Sequence, residues 1–236
     1  MLLLYNTDMR TKQFRNNLKT AFPPSLPLLI YVAIYMLWWM LLEHKAPGTG
    51  YSVIHTPVDD LIPFNEYFVI PYLLWFLYIT FVVVYFLFKC DRLEYFQLLA
   101  FLGAGMTVFL ITSTLFPNSL QLRPAFFAHD NVFTDLVRFV YRNDTPTNVF
   151  PSIHVYNSLA CYLAVMHSKQ LSRRAHIASF VLSLSIVMST MFIKQHSVFD
   201  VMCAFALCII FDYLVYRTSF VKNLVRSRRQ HRVHTH

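Results

Sequence analysis

Six long apolar stretches dominate this chain, near Leu26–Leu42, Val69–Phe88, Tyr95–Leu115, Val155–Met166, Ala175–Ile193 and Val198–Tyr216. Lipid offers no hydrogen bonds to an open backbone, so a segment of about 20 mainly apolar residues crosses a bilayer only as a helix. The stretches predict an all-α integral membrane protein with six transmembrane helices in a bundle, the fourth being short unless it continues past Met166. Composition agrees: 14% of the 236 residues are charged and 56% are hydrophobic, against about 25% charged in a soluble domain. Trp38, Trp39, Trp75 and many tyrosines lie in or near the span ends, as an interfacial aromatic belt requires. Four glycines form no Gly-rich phosphate cradle, which removes the Rossmann and P-loop readings. Four cysteines without CxxC spacing point to packing, not to a zinc site or a disulfide framework. The pattern suggests no divalent-metal ligand cluster, and no cofactor is expected.

The net charge of +8 reads as topology and not as a nucleic-acid footprint once the basic residues are placed. With both termini on one side, 15 Lys and Arg fall on that side and 5 on the other. Both termini are therefore expected in the cytoplasm of a multi-pass protein, with a bacterial inner membrane the expected location. The connections after spans one, three and five then face the extracytoplasmic side. Residues 1–22 read as a cytoplasmic amphipathic segment with Phe14, Leu18 and Phe22 on one face, and no leader is expected to be removed. Residues 23–216 read as the membrane domain, entered through Pro23, Pro24 and Pro27, and 217–236 as a basic tail. That tail, with His231, His234 and His236, is expected to contact anionic lipid rather than nucleic acid or a metal.

The connection from Phe116 to Pro151 is too long for a structureless loop. Asp130 or Asn131 can cap a short interfacial helix that carries Phe133, Leu136, Val137 and Val140 on one face. Pro151-Ser152-Ile153-His154 then opens the fourth span, placing a serine and a histidine at a helix N-terminus, where free N–H groups and the helix dipole favour an anion. Between spans five and six, His196 and Asp200 stand at i and i+4 and share a face if Ser197 starts a helix. The carboxylate can then take a ring N–H, fix the tautomer and leave the other nitrogen nucleophilic. An Asp in a membrane span is costly and marks function by default. His55 and Asp59 have the same spacing, but Pro57 between them argues against a shared face and makes that pair a loop feature. Asp59, Asp60 and Glu66 either recognise headgroup hydroxyls or solvate the first outer loop, with solvation the favoured reading. Arg123-Pro124 lies on the same side as the other motifs, and a guanidinium there suits phosphate. A phosphate-binding Arg, a His at a helix N-terminus and a carboxylate-backed His together make a metal-free phosphoryl-transfer site.

In order, side and spacing these residues resemble the type 2 phosphatidic acid phosphatase superfamily, whose pattern runs Lys-x6-Arg-Pro, Pro-Ser-x-His and Ser-Arg-x5-His-x3-Asp. Arg123-Pro124, Pro151-Ser152-Ile153-His154 and Ser189-x6-His196-x3-Asp200 match. The resemblance implies that His196 is the nucleophile forming a phospho-histidine, Asp200 its orienter and His154 the general acid, with Arg123 and Ser152 on the phosphate oxygens. Two family cations are missing: Phe116 stands for the Lys and Thr190 for the Arg. Lys194 is the first candidate to replace one as a phosphate-binding group, and Arg138, Arg142 and Asn148 are auxiliary candidates. The Lys-Gln-His form of the third motif looks more like the inositol phosphorylceramide synthase branch, whose members transfer a phospho-headgroup to a lipid hydroxyl.

The leading expectation is a metal-independent lipid phosphatase acting on a lipid phosphomonoester or diphosphate at the extracytoplasmic face, its partners being that substrate and the surrounding bilayer lipids. The alternatives are a phospholipid headgroup transferase using the same His-His-Asp site, and a non-catalytic lipid-binding membrane protein.

Overall fold

The computed structural model describes residues 28–43 and 50–225. The predicted amphipathic segment 1–22, the prolines before span one and the tail histidines lie outside the described residues. Helix α1 spans Leu28–Glu43, α2 Pro57–Leu61, α3 Val69–Lys89, α4 Arg92–Leu115, α5 Val132–Asn143, α6 Ile153–His167, α7 Arg173–Phe192 and α8 Val198–Asp212. A 3-10 turn, Glu66–Phe68, leads into α3, and a π-helical turn, Tyr213–Arg217, extends α8. Two short strands, β1 Ser52–Val53 and β2 Asn118–Ser119, pair in parallel and tie the connection after α1 to the loop after α4.

Helices occupy all six predicted stretches. Among the described residues, four are long and apolar enough to cross a membrane: Glu66–Lys89, Arg92–Leu115, Arg173–Phe192 and Val198–Arg217. Their large side chains face outward, with Phe76, Leu77 and Phe81 on α3 and Met202 and Ile209 on α8 all exposed. In water so broad an apolar surface would drive association; in a bilayer it is the solvated face. The architecture is thus that of an all-α membrane protein.

The fourth stretch does not continue past Met166 by more than one residue. Helix α6 is 15 residues long and stops at His167, where Ser168 N donates to the carbonyls of Ala164 and Val165. That is about 22 Å of helix, short of a hydrocarbon core of about 30 Å. Its position explains how it can be short. Helix α6 packs against α3, α4, α7 and α8 at once, and Val155, Tyr156, Ala160, Cys161 and Ala164 are all buried. Ringed by other helices, it has little lipid to match. The tightest contact is with α4, where a Cβ on Gly105 would lie 2.0 Å from the Tyr156 ring. The Tyr156 hydroxyl donates to Phe101 O across the same interface, at 2.8 Å.

Asn131 caps α5, its side chain accepting from Phe133 N and Thr134 N. The helix is where the pattern placed it, but Val137 and Val140 pack with Val69 and Tyr72 of α3 and with Ile193 after α7. Much of its apolar face is therefore used against protein. This packing holds the long connection over one end of the bundle, where the outer motifs meet.

Candidate active site

The chain reversal after α7 brings His196 to this end. Thr190 O accepts the N–H groups of both Gln195 and His196, at 2.9 and 3.0 Å, and Lys194 takes a left-handed conformation with φ 56°. Ser197 then caps α8: its side chain accepts from Phe199 N, and Asp200 at N3 returns a carboxylate oxygen to Ser197 N in a capping box. The same Asp200 oxygen lies 3.4 Å from His196 Nδ1. From the other side, His154 in the first turn of α6 sets Nδ1 3.3 Å from His196 Nε2. Both histidines are buried, and Asp200 is fully so. His196 Nδ1 faces Asp200 without a formed hydrogen bond, and in one proton arrangement His154 Nδ1–H donates to the lone pair on His196 Nε2. The nucleophilic nitrogen and the proton for a leaving group are then adjacent. Tyr72 and Trp75 of α3 pack on the His154 ring, with centroids 4.7 and 4.4 Å away, and fix its plane.

Both histidines line a cleft whose other walls come from Trp39 and Glu43 of α1, Phe109 of α4, and Asp144, Thr145, Thr147 and Asn148 after α5. Gln195 joins the parts. Its Oε1 accepts from Arg123 at 2.6 Å, and its Nε2 donates to Asp144 Oδ2 at 3.2 Å. Tyr72 also donates to Asp144 Oδ2. The Arg123 guanidinium donates to the carbonyls of Tyr141 and Asp144 and lies over the Tyr141 ring. Its burial lowers its pKa from the ordinary value, while the Asp144 carboxylate pulls the other way. Asn118, fully buried, shapes the loop beneath the cleft by accepting Phe150 N on its side chain and Asn148 N on its carbonyl.

The predicted residues separate into two groups. His154, His196 and Asp200 form one contiguous row, Arg123 stands behind Asp144 and Gln195, and Asn148 lines the cleft. Ser152 is fully buried and caps α6 through Val155 N. The substitutes for the missing cations lie elsewhere. Lys194 Nζ donates to the carbonyls of Asp59 and Ile62, so it clamps the connection between α1 and α3 instead of reaching the cleft. Arg138 is paired with Asp130 and Asp135 at the surface, and Arg142 is exposed at the end of α5. At the two departed positions, Phe116 ends α4 with its ring exposed, while Thr190 is fully buried and its hydroxyl donates to Val187 O.

Asp59 and Glu66 correct the solvation reading. Asp59 is 2% exposed and accepts from Ser197 Oγ at 2.6 Å and from Val198 N and Thr56 N at 2.7 Å each. Burial alone would raise its pKa, but these hydrogen bonds, Ser197 first, bring it below the ordinary carboxylate value. As Pro57 suggested, His55 and Asp59 are not paired, and His55 meets Asp60 instead; Asp59 lies in the first turn of α2, whose first position is one that proline favours. Glu66 is 7% exposed and accepts from Asn131 Nδ2, with His129 beside it. Asp60 does remain at the surface, paired with His55. The sequence reading also gave no role to Glu43, Tyr72, Asp144 or Gln195. Only Gln195, beside His196 at the end of an apolar run, carried a local signal.

A model of the PAP2 superfamily matches residues 94–224, a span that contains Arg123, both histidines and Asp200. The chain belongs to the PAP2 superfamily. Membership supports phosphatase-type or related phosphotransferase chemistry for this PAP2 protein. Comparison with curated proteins and with solved structures gave no significant match.

Proposed function

We propose that this PAP2 protein is a membrane lipid phosphatase that forms a phospho-histidine on His196 Nε2 at the extracytoplasmic face. The observation that carries the reading is the buried row Asp200, His196, His154, closed by contacts of 3.4 and 3.3 Å. Asp200 holds the His196 tautomer and offsets the charge that grows on the ring as Nε2 attacks phosphorus. His154 gives its proton to the departing lipid oxygen, then takes one from the hydroxyl that attacks next. Preorganised groups in a site walled from bulk water act at close to full strength.

The test is phosphate release by the purified full chain in detergent with EDTA, from phosphatidic acid, a sphingoid-base phosphate and a polyprenyl diphosphate. Release that persists in EDTA and vanishes in His196→Ala supports the reading; complete inhibition by EDTA overturns it. His154→Ala is expected to retain slow phospho-enzyme formation with a good leaving group.

A second reading, transfer of a phospho-headgroup from a phospholipid to a lipid alcohol, is favoured by one observation. Among the described residues the cleft wall carries Glu43 and Asp144 but no Lys or Arg, a poor setting for the doubly charged phosphate of a monoester and a better one for a diester. Suppression of phosphate release by an added lipid alcohol would mark this route.

A further inference from the structure

The cleft beside the two histidines is rich in hydrogen-bond acceptors. Glu43 from the end of α1 and Asp144 after α5 both line it, and among the described residues the lining contains no lysine or arginine. Arg123, the nearest predicted phosphate ligand, is turned to the carbonyls of Tyr141 and Asp144 and to Gln195. Asn148 adds a third acceptor. It lines the same cleft, is 7% exposed, and its Oδ1 is buried with no hydrogen-bond partner among the described residues. That atom is shielded from the cleft, and an acceptor so placed costs free energy until a small turn of the amide brings it to a donor. The Trp39 ring forms part of the same wall, and an indole face attracts a cation.

The geometry points to a headgroup subsite for a primary ammonium: Glu43, Asp144, Asn148 and Trp39 receive the amine of a zwitterionic phospholipid while His196 engages its phosphodiester. The inference rests on the proposed phosphoryl transfer at His196 and takes its diester form. A zwitterion supplies the positive charge that the site lacks for phosphate and places it against the two carboxylates. An ammonium brings three donors for the three acceptors, whereas a quaternary amine brings none. In the reaction, a bond forms between His196 Nε2 and phosphorus, and the bond from phosphorus to the diacylglycerol oxygen breaks. The His154 proton goes to that oxygen, leaving phosphoethanolamine on His196. A hydroxyl from water or a lipid alcohol then attacks phosphorus, the P–N bond breaks, and the hydroxyl proton passes to His154.

The experiment uses the full chain in detergent micelles with phosphatidylethanolamine, phosphatidylcholine, phosphatidylglycerol or phosphatidic acid. Diacylglycerol release gives kcat/KM, and binding of each lipid to His196→Ala protein reads the subsite without turnover. Phosphatidylethanolamine is expected to lead each of the others about ten-fold, the scale of one charged hydrogen bond. Glu43→Gln should lower its kcat/KM and binding by about as much and so narrow its lead over phosphatidylglycerol. Parity of phosphatidylglycerol or phosphatidic acid with phosphatidylethanolamine would overturn the charge argument, and parity of phosphatidylcholine would overturn the requirement for donors. Equal losses on all lipids in Glu43→Gln would assign that residue a merely structural role and overturn the subsite. No diacylglycerol from any lipid, with the binding preference intact, would overturn the transfer reaction but support the subsite; loss of the preference with turnover intact would do the reverse.

Discussion

Asp59 shows how far a single carboxylate reaches in this site. It takes the Ser197 hydroxyl and the Val198 N–H at the head of α8, immediately beside the nucleophile. Removing it leaves these two donors and Thr56 N unsatisfied, each worth about 1 to 3 kcal/mol. Asp59→Ala should therefore lower the melting temperature in detergent and slow turnover. Asp59→Asn keeps an acceptor and should recover part of both. The sign of its pH response follows from the lowered pKa. The carboxylate stabilises the fold above its unfolded value of about 3.9, and that contribution is lost as pH falls through the lower folded value. The wild-type melting temperature should drop on strong acidification, with a smaller drop in Asp59→Asn. Equal acid limbs in the two proteins would contradict this account. Such a role was hard to see in the sequence, because Ser197 is 138 residues from Asp59. The His196–Asp200 pairing was readable because its partners are one helical turn apart and Ser197 is a recognisable cap.

Among the elements, the α4–α6 seam is the least tolerant. Gly105 lets the Tyr156 ring lie against the α4 backbone, and that ring is held by its own bond to Phe101 O. Gly105→Ala should force the seam apart at a cost of about 1 to 3 kcal/mol, read as a lower melting temperature. Adding Tyr156→Ala should relieve the clash, so the double variant should lose less than the sum of the two single variants. The six main helices were legible because long apolar runs admit little else in lipid. The short elements were not. Helix α2 begins at a proline that also reads as a breaker, and the end of α6 depends on its neighbours more than on its own pattern. The cap of α5 was legible, since Asn131 precedes a clear apolar face, but nothing in that face says whether protein or lipid will cover it.

Taken whole, the bundle gathers its chemistry at one end. The N-termini of α3, α6 and α8 and the C-termini of α4 and α7 meet there, while Lys89 and Arg92 lie together at the turn between α3 and α4. The charge tally predicts that the histidine end faces out. A cysteine placed at Phe126, 90% exposed in the connection after α4, should react with a membrane-impermeant thiol reagent added to intact cells. Labelling only after the membrane is opened would reverse the orientation. The enclosure of α6 has a mechanical consequence. When a bilayer thickens or thins, helices that touch lipid accommodate the mismatch by tilting, and here those are the other five, α1, α3, α4, α7 and α8. The helix that carries His154 has little hydrophobic length of its own to adjust, so it serves as a fixed post against which the lipid-facing helices can lean.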